Sequence, residues 1–190
     1  MTFFESNKRS SKRIPNCLLF FALVATATPS FAEDYSVLTY KDPAGFYEFD
    51  YPSFYHENHE FADGTGDLDG IRSELADSTE SNIRIILVEI RGVKSVTIET
   101  QSTYVEQFKT DLAPDTKSKF ISAEPTTLLG QMAMDMKFEK KGYSNQFRTR
   151  FIATIIAGKD VIIQCSYTLK AEAFFGQACE YLAASLRVTK

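Results

Sequence analysis

Both histidines of this chain stand in one short acidic stretch, His56-Glu57-Asn58-His59-Glu60, and Asp63, Asp67 and Asp69 follow with no base before Arg72. Imidazole and carboxylate are ligands for Zn²⁺, Mn²⁺ or Ni²⁺. The aspartates alternate with Gly64, Gly66 and Gly70, a composition that offers oxygens to Ca²⁺ and lets the backbone turn sharply. His56, His59, Glu60, Asp63, Asp67 and Asp69 are therefore the candidate ligands for a divalent metal. Their spacing is neither His-Glu-x-x-His on a helix nor an EF-hand register, and the same composition also describes a solvated acidic loop that holds nothing. Hydrolytic chemistry needs a nucleophile, a base and an orienting group. Ser53 lies near His56, but there is no Gly-x-Ser-x-Gly elbow, and two histidines confined to one loop leave little room for a triad. The residues name no catalytic set and no organic cofactor.

Cysteine is the other reactive side chain. Cys17 opens an apolar run near the N-terminus, and Cys165 and Cys179 lie in the C-terminal third. The latter two are spaced far more widely than Cys-x-x-Cys, which argues against redox catalysis. In an oxidising compartment an even pair is expected to form a disulfide. The alternative is two buried thiols serving as small apolar groups.

The compartment is indicated by residues 1–32. Lys8, Arg9, Lys12 and Arg13 precede the run Cys17–Ala27, and Ser30 and Ala32 are small residues at the −3 and −1 places before Glu33. That is the layout of a secretory signal peptide cleaved between Ala32 and Glu33. The run is shorter than the roughly 20 apolar residues of a spanning helix. Cys17 begins the run rather than following it, which disfavours a lipid anchor. The expected mature chain, residues 33–190, forms a single domain and is secreted or periplasmic. Its 17 basic and 24 acidic residues, after four bases and one acid leave with the signal, give a net charge of −7. An acidic surface repels phosphate backbones, so nucleic acid is excluded as a partner. No transmembrane segment is expected after Ala32.

These features rest on a regular succession of elements. Val37–Tyr40 and Phe46–Tyr51 read as a hairpin around Asp42-Pro43-Ala44-Gly45, with Pro52 as its end. The segment from His56 to Gly70 reads as a polar loop, followed by a strand near 71–77. Asn82–Ile90 carries aliphatic residues in both alternating rows and reads as a strand covered on both faces. A helix is expected from Glu99 to Leu112, capped by Thr97 and stopped by Pro114. Lys119–Thr127, interrupted by Pro125, reads as an edge strand. Strands follow over Met132–Phe138, Phe147–Ile155 and Val161–Tyr167, and a final helix over Lys170–Arg187. Cys165 lies in the inward row of the last strand and Cys179 at the edge of the last helix's apolar stripe. Arg148 and Arg150 share one strand face with Lys140 and Lys141 nearby. They read either as a small basic patch for an acidic partner or as a solvent face paired with Glu139 and Asp135. The Met132, Met134 and Met136 row reads as core.

This order, an aromatic hairpin ending at proline (YKDPAGFYEFDYP), a polar loop, strands and a helix, then a four-strand meander closed by a helix ending Ala184-Ser185-Leu186-Arg187-Val188, resembles the PsbP-like family. That family includes the extrinsic photosystem II subunit and DcrB-type bacterial secreted relatives. The resemblance covers most of residues 37–188. It implies an α+β fold, an antiparallel sheet with helices packed on both faces (a PsbP-like α/β/α sandwich). It also implies a non-catalytic accessory or binding role at the cell envelope, with another envelope protein or a small ligand as partner. The rival readings are a divalent-metal-binding protein using the His56–Asp69 segment and, third, a hydrolase.

Overall fold

The computed structural model describes residues 35–42, 45–58, 69–73, 81–89, 92–111, 118–142 and 145–189. The expected signal peptide with its Ala32–Glu33 boundary, Pro43 and Ala44 of the first turn, and Leu112 and Pro114 at the expected end of the first helix lie outside the described residues. Ten strands and two helices follow in chain order among the described residues: β1 (Val37–Lys41), β2 (Tyr47–Pro52), β3 (Tyr55–Asn58), β4 (Asp69–Ser73), β5 (Ser81–Glu89), α1 (Gln101–Asp111), β6 (Ser118–Leu128), β7 (Gln131–Lys141), β8 (Gln146–Ile156), β9 (Lys159–Thr168), α2 (Glu172–Ser185) and β10 (Arg187–Val188).

They form two sheets. The larger has seven strands in the order β3-β4-β5-β9-β8-β7-β6, and every neighbouring pair in it is antiparallel. The smaller has the order β1-β2-β10. The small sheet and α2 cover one face of the large sheet, where Ile83, Ile85, Ile163 and Tyr167 meet Phe49, Tyr51, Phe175, Ala178 and Leu182. On the other face α1 lays Tyr104, Val105 and Phe108 over Met134, Met136, Phe138, Phe151, Ala153 and Ile162. The antiparallel sheet with a helix on each face is thus the observed architecture. Strand periodicity explains the division, since neighbouring side chains point to opposite faces: Ile162 belongs to one core and Ile163 to the other.

The expected meander is present as β6–β9, with β6 at the edge. Pro125 does not interrupt β6, which runs through it in register with Met134. At an edge the missing N–H removes no ladder bond. The helix begins at Gln101 rather than at the expected Glu99, and Thr97 holds the turn before it together with Thr100. The Thr97 hydroxyl accepts the Thr100 N–H at 3.3 Å, the Thr97 N–H donates to the Thr100 hydroxyl at 2.9 Å, the Gln101 N–H closes the turn on the Thr97 carbonyl, and the Tyr104 N–H enters the helix at the Thr100 carbonyl.

Three expectations are corrected. His56–Asn58, expected as loop, belong to strand β3, paired with β4 in the register His56↔Arg72 and Asn58↔Gly70. The first residues of β4, Asp69 and Gly70, also belong to a strand; residues 74–77 lie outside the described ones. The last helix stops at Ser185, and Arg187–Val188 turn into a strand against β2, Arg187↔Glu48 and Val188↔Tyr47. The stop is fixed by Ser185, whose hydroxyl accepts the Asp50 N–H at 2.9 Å and lies 2.9 Å from the Leu182 carbonyl, to which it donates.

Two turns carry backbone strain. Leu128↔Gln131 and Ile156↔Lys159 close two-residue hairpins in which both central residues have positive φ: Leu129 53° and Gly130 71°, Ala157 50° and Gly158 80°. Such turns favour Asn or Gly at the first place, and a side chain with a Cβ costs roughly 1–2 kcal/mol there. Ala157 is exposed, so its replacement loses no packing. Ala157→Asn is expected to stabilise the fold by about 0.5–1 kcal/mol, seen as a melting temperature raised by about 2–3 °C in a thermal unfolding scan.

Candidate functional site

An apolar cleft of about 270 Å³ opens between the two sheets at one end of the molecule. The small sheet contributes Phe46 and Tyr47, and the chain's last elements contribute Leu186 and Val188. The facing wall is Ile85 and Leu87 of β5 and Val161 of β9, and the β8–β9 turn closes the end with Ile156, Ala157 and Lys159. Among these lining residues Lys159 alone is charged. A second, shallower hollow of about 520 Å³ shares Ile156, Ala157 and Val188 and adds Leu129, Gln131 and Ile155. Both strained turns therefore line this end of the molecule, and strained residues concentrate where a site is built.

Each wall follows from local sequence. The Asp42 carboxylate accepts the Phe46 N–H at 2.8 Å, and Gly45 takes φ 70°, which sets Phe46 at the strand entry. Tyr40, Tyr47 and Phe49 stack at 4.9–6.2 Å behind it. β10 is tied on by the Thr189 N–H to the Phe46 carbonyl and by Arg187, which pairs with Glu48 at 2.9 Å and Asp50 at 3.1 Å. The hydrogen bond from Arg187 holds the Asp50 carboxyl below its ordinary range. Phe46 and Val188, 49% and 48% exposed, stand at the mouth as open apolar surface.

On the face beneath α2 the structure gathers a charged cluster. Arg150 is buried and grips Asp135 in a bidentate pair, Nε to Oδ1 at 2.9 Å and Nη2 to Oδ2 at 2.7 Å, while Nη1 reaches Glu180 of α2 at 3.0 Å. Burial works against the arginine charge, but Asp135 and then Glu180 raise its pKa above the usual value. Arg148 bridges Glu139 and Glu172, each at 3.1 Å. The expected pairing of these arginines with Asp135 and Glu139 is thus present, but their face is the floor under α2, not solvent and not an open basic patch. Cys165 and Cys179 are disulfide-bonded across the same interface, with Cα atoms 6.1 Å apart and both residues fully buried.

The candidate metal ligands divide. His56 sits half-buried in β3 and Asp69 opens β4, while His59, Glu60, Asp63 and Asp67 lie outside the described residues. Glu57 accepts the Tyr51 hydroxyl at 3.2 Å. Among the described residues no three His, Cys, Asp or Glu converge as metal ligands, and no helix is long and apolar enough to cross a membrane. Ser53 lies in the turn between β2 and β3, where its N–H donates to the Ser36 carbonyl.

No family model matches the sequence, and no curated protein matches it. Solved structures do. The solution structure of cyanobacterial PsbP (CyanoP) from Synechocystis sp. PCC 6803 is 21% identical, with a TM-score of 0.58 over 81% of this chain and 93% of that one. The Ran-binding protein Mog1p of Saccharomyces cerevisiae is 12% identical, with a TM-score of 0.57 over 82% and 97%. LpqN of Mycobacterium tuberculosis, described as involved in cell envelope biogenesis, is 14% identical, with a TM-score of 0.52 over 83% and 94%. The chain therefore has a PsbP/Mog1-like α+β fold. At these identities the likeness is one of fold.

A buried acid lies on the opposite face from the cleft, beside Lys159 in sequence. Asp160 accepts the Tyr104 hydroxyl at 2.7 Å, and burial pushes its carboxyl up to about 6. The native state thus binds this proton more tightly than the unfolded chain, whose carboxyl titrates near 3.8. The stability this group confers is complete below about pH 4 and is lost as pH rises through about 6. Asn at this place keeps an acceptor for Tyr104 without the charge. Asp160→Asn is expected to match the wild type near pH 3.5 and to exceed it at pH 7 by on the order of 2 kcal/mol, measured by urea unfolding at both pH values.

Proposed function

We propose that this chain is a secreted or periplasmic accessory protein of the cell envelope that works by binding and carries no catalytic activity. In this reading residues 1–32 direct export, cleavage falls between Ala32 and Glu33, and residues 33–190 act as one domain. The observation that carries it is the apolar cleft between the sheets, whose lining holds no nucleophile and base in contact. Open apolar surface at a rim, here Phe46 and Val188, marks interaction sites more often than it marks chemistry. The buried Cys165–Cys179 bridge supports an oxidising compartment. The fold's likeness to CyanoP, to the Ran-binding protein Mog1p and to LpqN, which is involved in cell envelope biogenesis, supports an accessory role.

The test is made in the native host. Intact mass of the exported protein is expected to begin at Glu33 and to be about 2 Da below the dithiol form. A deletion strain scored for detergent sensitivity is expected to be restored by the wild type and not by an exported Val188→Asp variant. Full-length protein kept in the cytosol with free thiols, or full restoration by Val188→Asp, contradicts the reading.

A further inference from the structure

We propose that the cleft takes a single-chain carboxylic amphiphile, with the chain between the sheets and the carboxylate on Lys159. This inference rests on the reading of the cleft as a binding site and names its ligand. The walls Ile85, Leu87, Val161 and Leu186 offer a chain only apolar contact. About 270 Å³ lies just under the roughly 300–1,000 Å³ of drug-sized pockets. That accommodates one chain and is too small for a two-chain lipid. Lys159 is exposed and is the single charged residue of the lining. An ammonium at the end of an otherwise apolar channel selects an anionic head by charge complementarity. Phe46 and Val188, half-exposed at the mouth, supply the apolar rim across which a chain enters.

Dodecanoate, dodecanol and dodecyltrimethylammonium share a chain and differ in charge. Each is titrated, below its micellar concentration, into isotope-labelled residues 33–190 prepared by export and cleavage of the full chain. Methyl NMR shifts of Ile85, Leu87, Val161 and Val188 report binding. The expected result is saturable binding of dodecanoate in the cleft, about tenfold or more tighter than that of the other two. Lys159→Glu, an exposed substitution, is expected to reverse the order of anion and cation. Val188→Trp, which fills the mouth, is expected to abolish all three. Equal binding of dodecanol and dodecanoate, unchanged in Lys159→Glu, overturns the anionic assignment and leaves the cleft as a binding site. No shift of these methyls with any probe overturns the inference outright. The export and complementation results then decide the broader reading by themselves.

Discussion

Helix α2 is fastened to the middle of the seven-stranded sheet by a disulfide and a buried ion cluster, and the rest of that face depends on this attachment. Cys165 stands in register with Arg150 on β8 and with Ile83 on β5. The two fastenings are therefore neighbours on one patch of sheet. On α2 their partners are Gly176, Cys179 and Glu180, spaced three and four residues apart and so on one helix face. The bridge closes a loop of 14 residues, which in the chain-entropy model stabilises the fold by about 3 kcal/mol. The ion cluster acts differently. A buried pair gains little over apolar packing, whereas leaving Asp135 without Arg150 costs roughly 3–5 kcal/mol. Its effect is to admit one placement of α2 over the sheet and to penalise others.

The small sheet shares no ladder with the large one and meets it only through side chains, Tyr40, Tyr47, Phe49 and Tyr51 packing into the common core. β2 also rests on α2, sharing its core and donating the Asp50 N–H to the Ser185 hydroxyl, and β10 is the direct continuation of the helix past Leu186. One wall of the cleft is therefore set by where α2 stops. The opposite wall belongs to β5 and β9, two strands of the large sheet's interior. The cleft is the space between a sheet held by its own ladder and a smaller sheet held by a helix. α1 lies on the far face with a core of its own and takes no part in it.

What could be read from sequence follows from periodicity. β7 alternates apolar with polar residues, β8 and β9 carry apolar residues in both rows where both faces are covered, and the helices repeat near 3.6. β3 was illegible because Tyr55-His56-Glu57-Asn58 is polar apart from its buried tyrosine and takes its strand form from pairing with β4. β10 was illegible because two residues carry no pattern and their partner Glu48 lies 139 positions away. The pairing of Arg148 and Arg150 was legible across the hairpin; their burial was not, because the cover comes from α2. The cleft itself had no local signal, since its walls come from four distant segments. Nor do Leu129 and Ala157 announce left-handed turns, as neither residue type favours that conformation.

Amide hydrogen exchange of the Cys165→Ala/Cys179→Ala double variant against the oxidised wild type tests the central claim, that the attachment of α2 organises the small sheet and the cleft. Local opening is read element by element by this method. Protection is expected to fall in α2, β1, β2 and β10 while β6, β7, β8 and α1 keep theirs. Uniform loss across both sheets, or unchanged protection in β2 and β10, would contradict it.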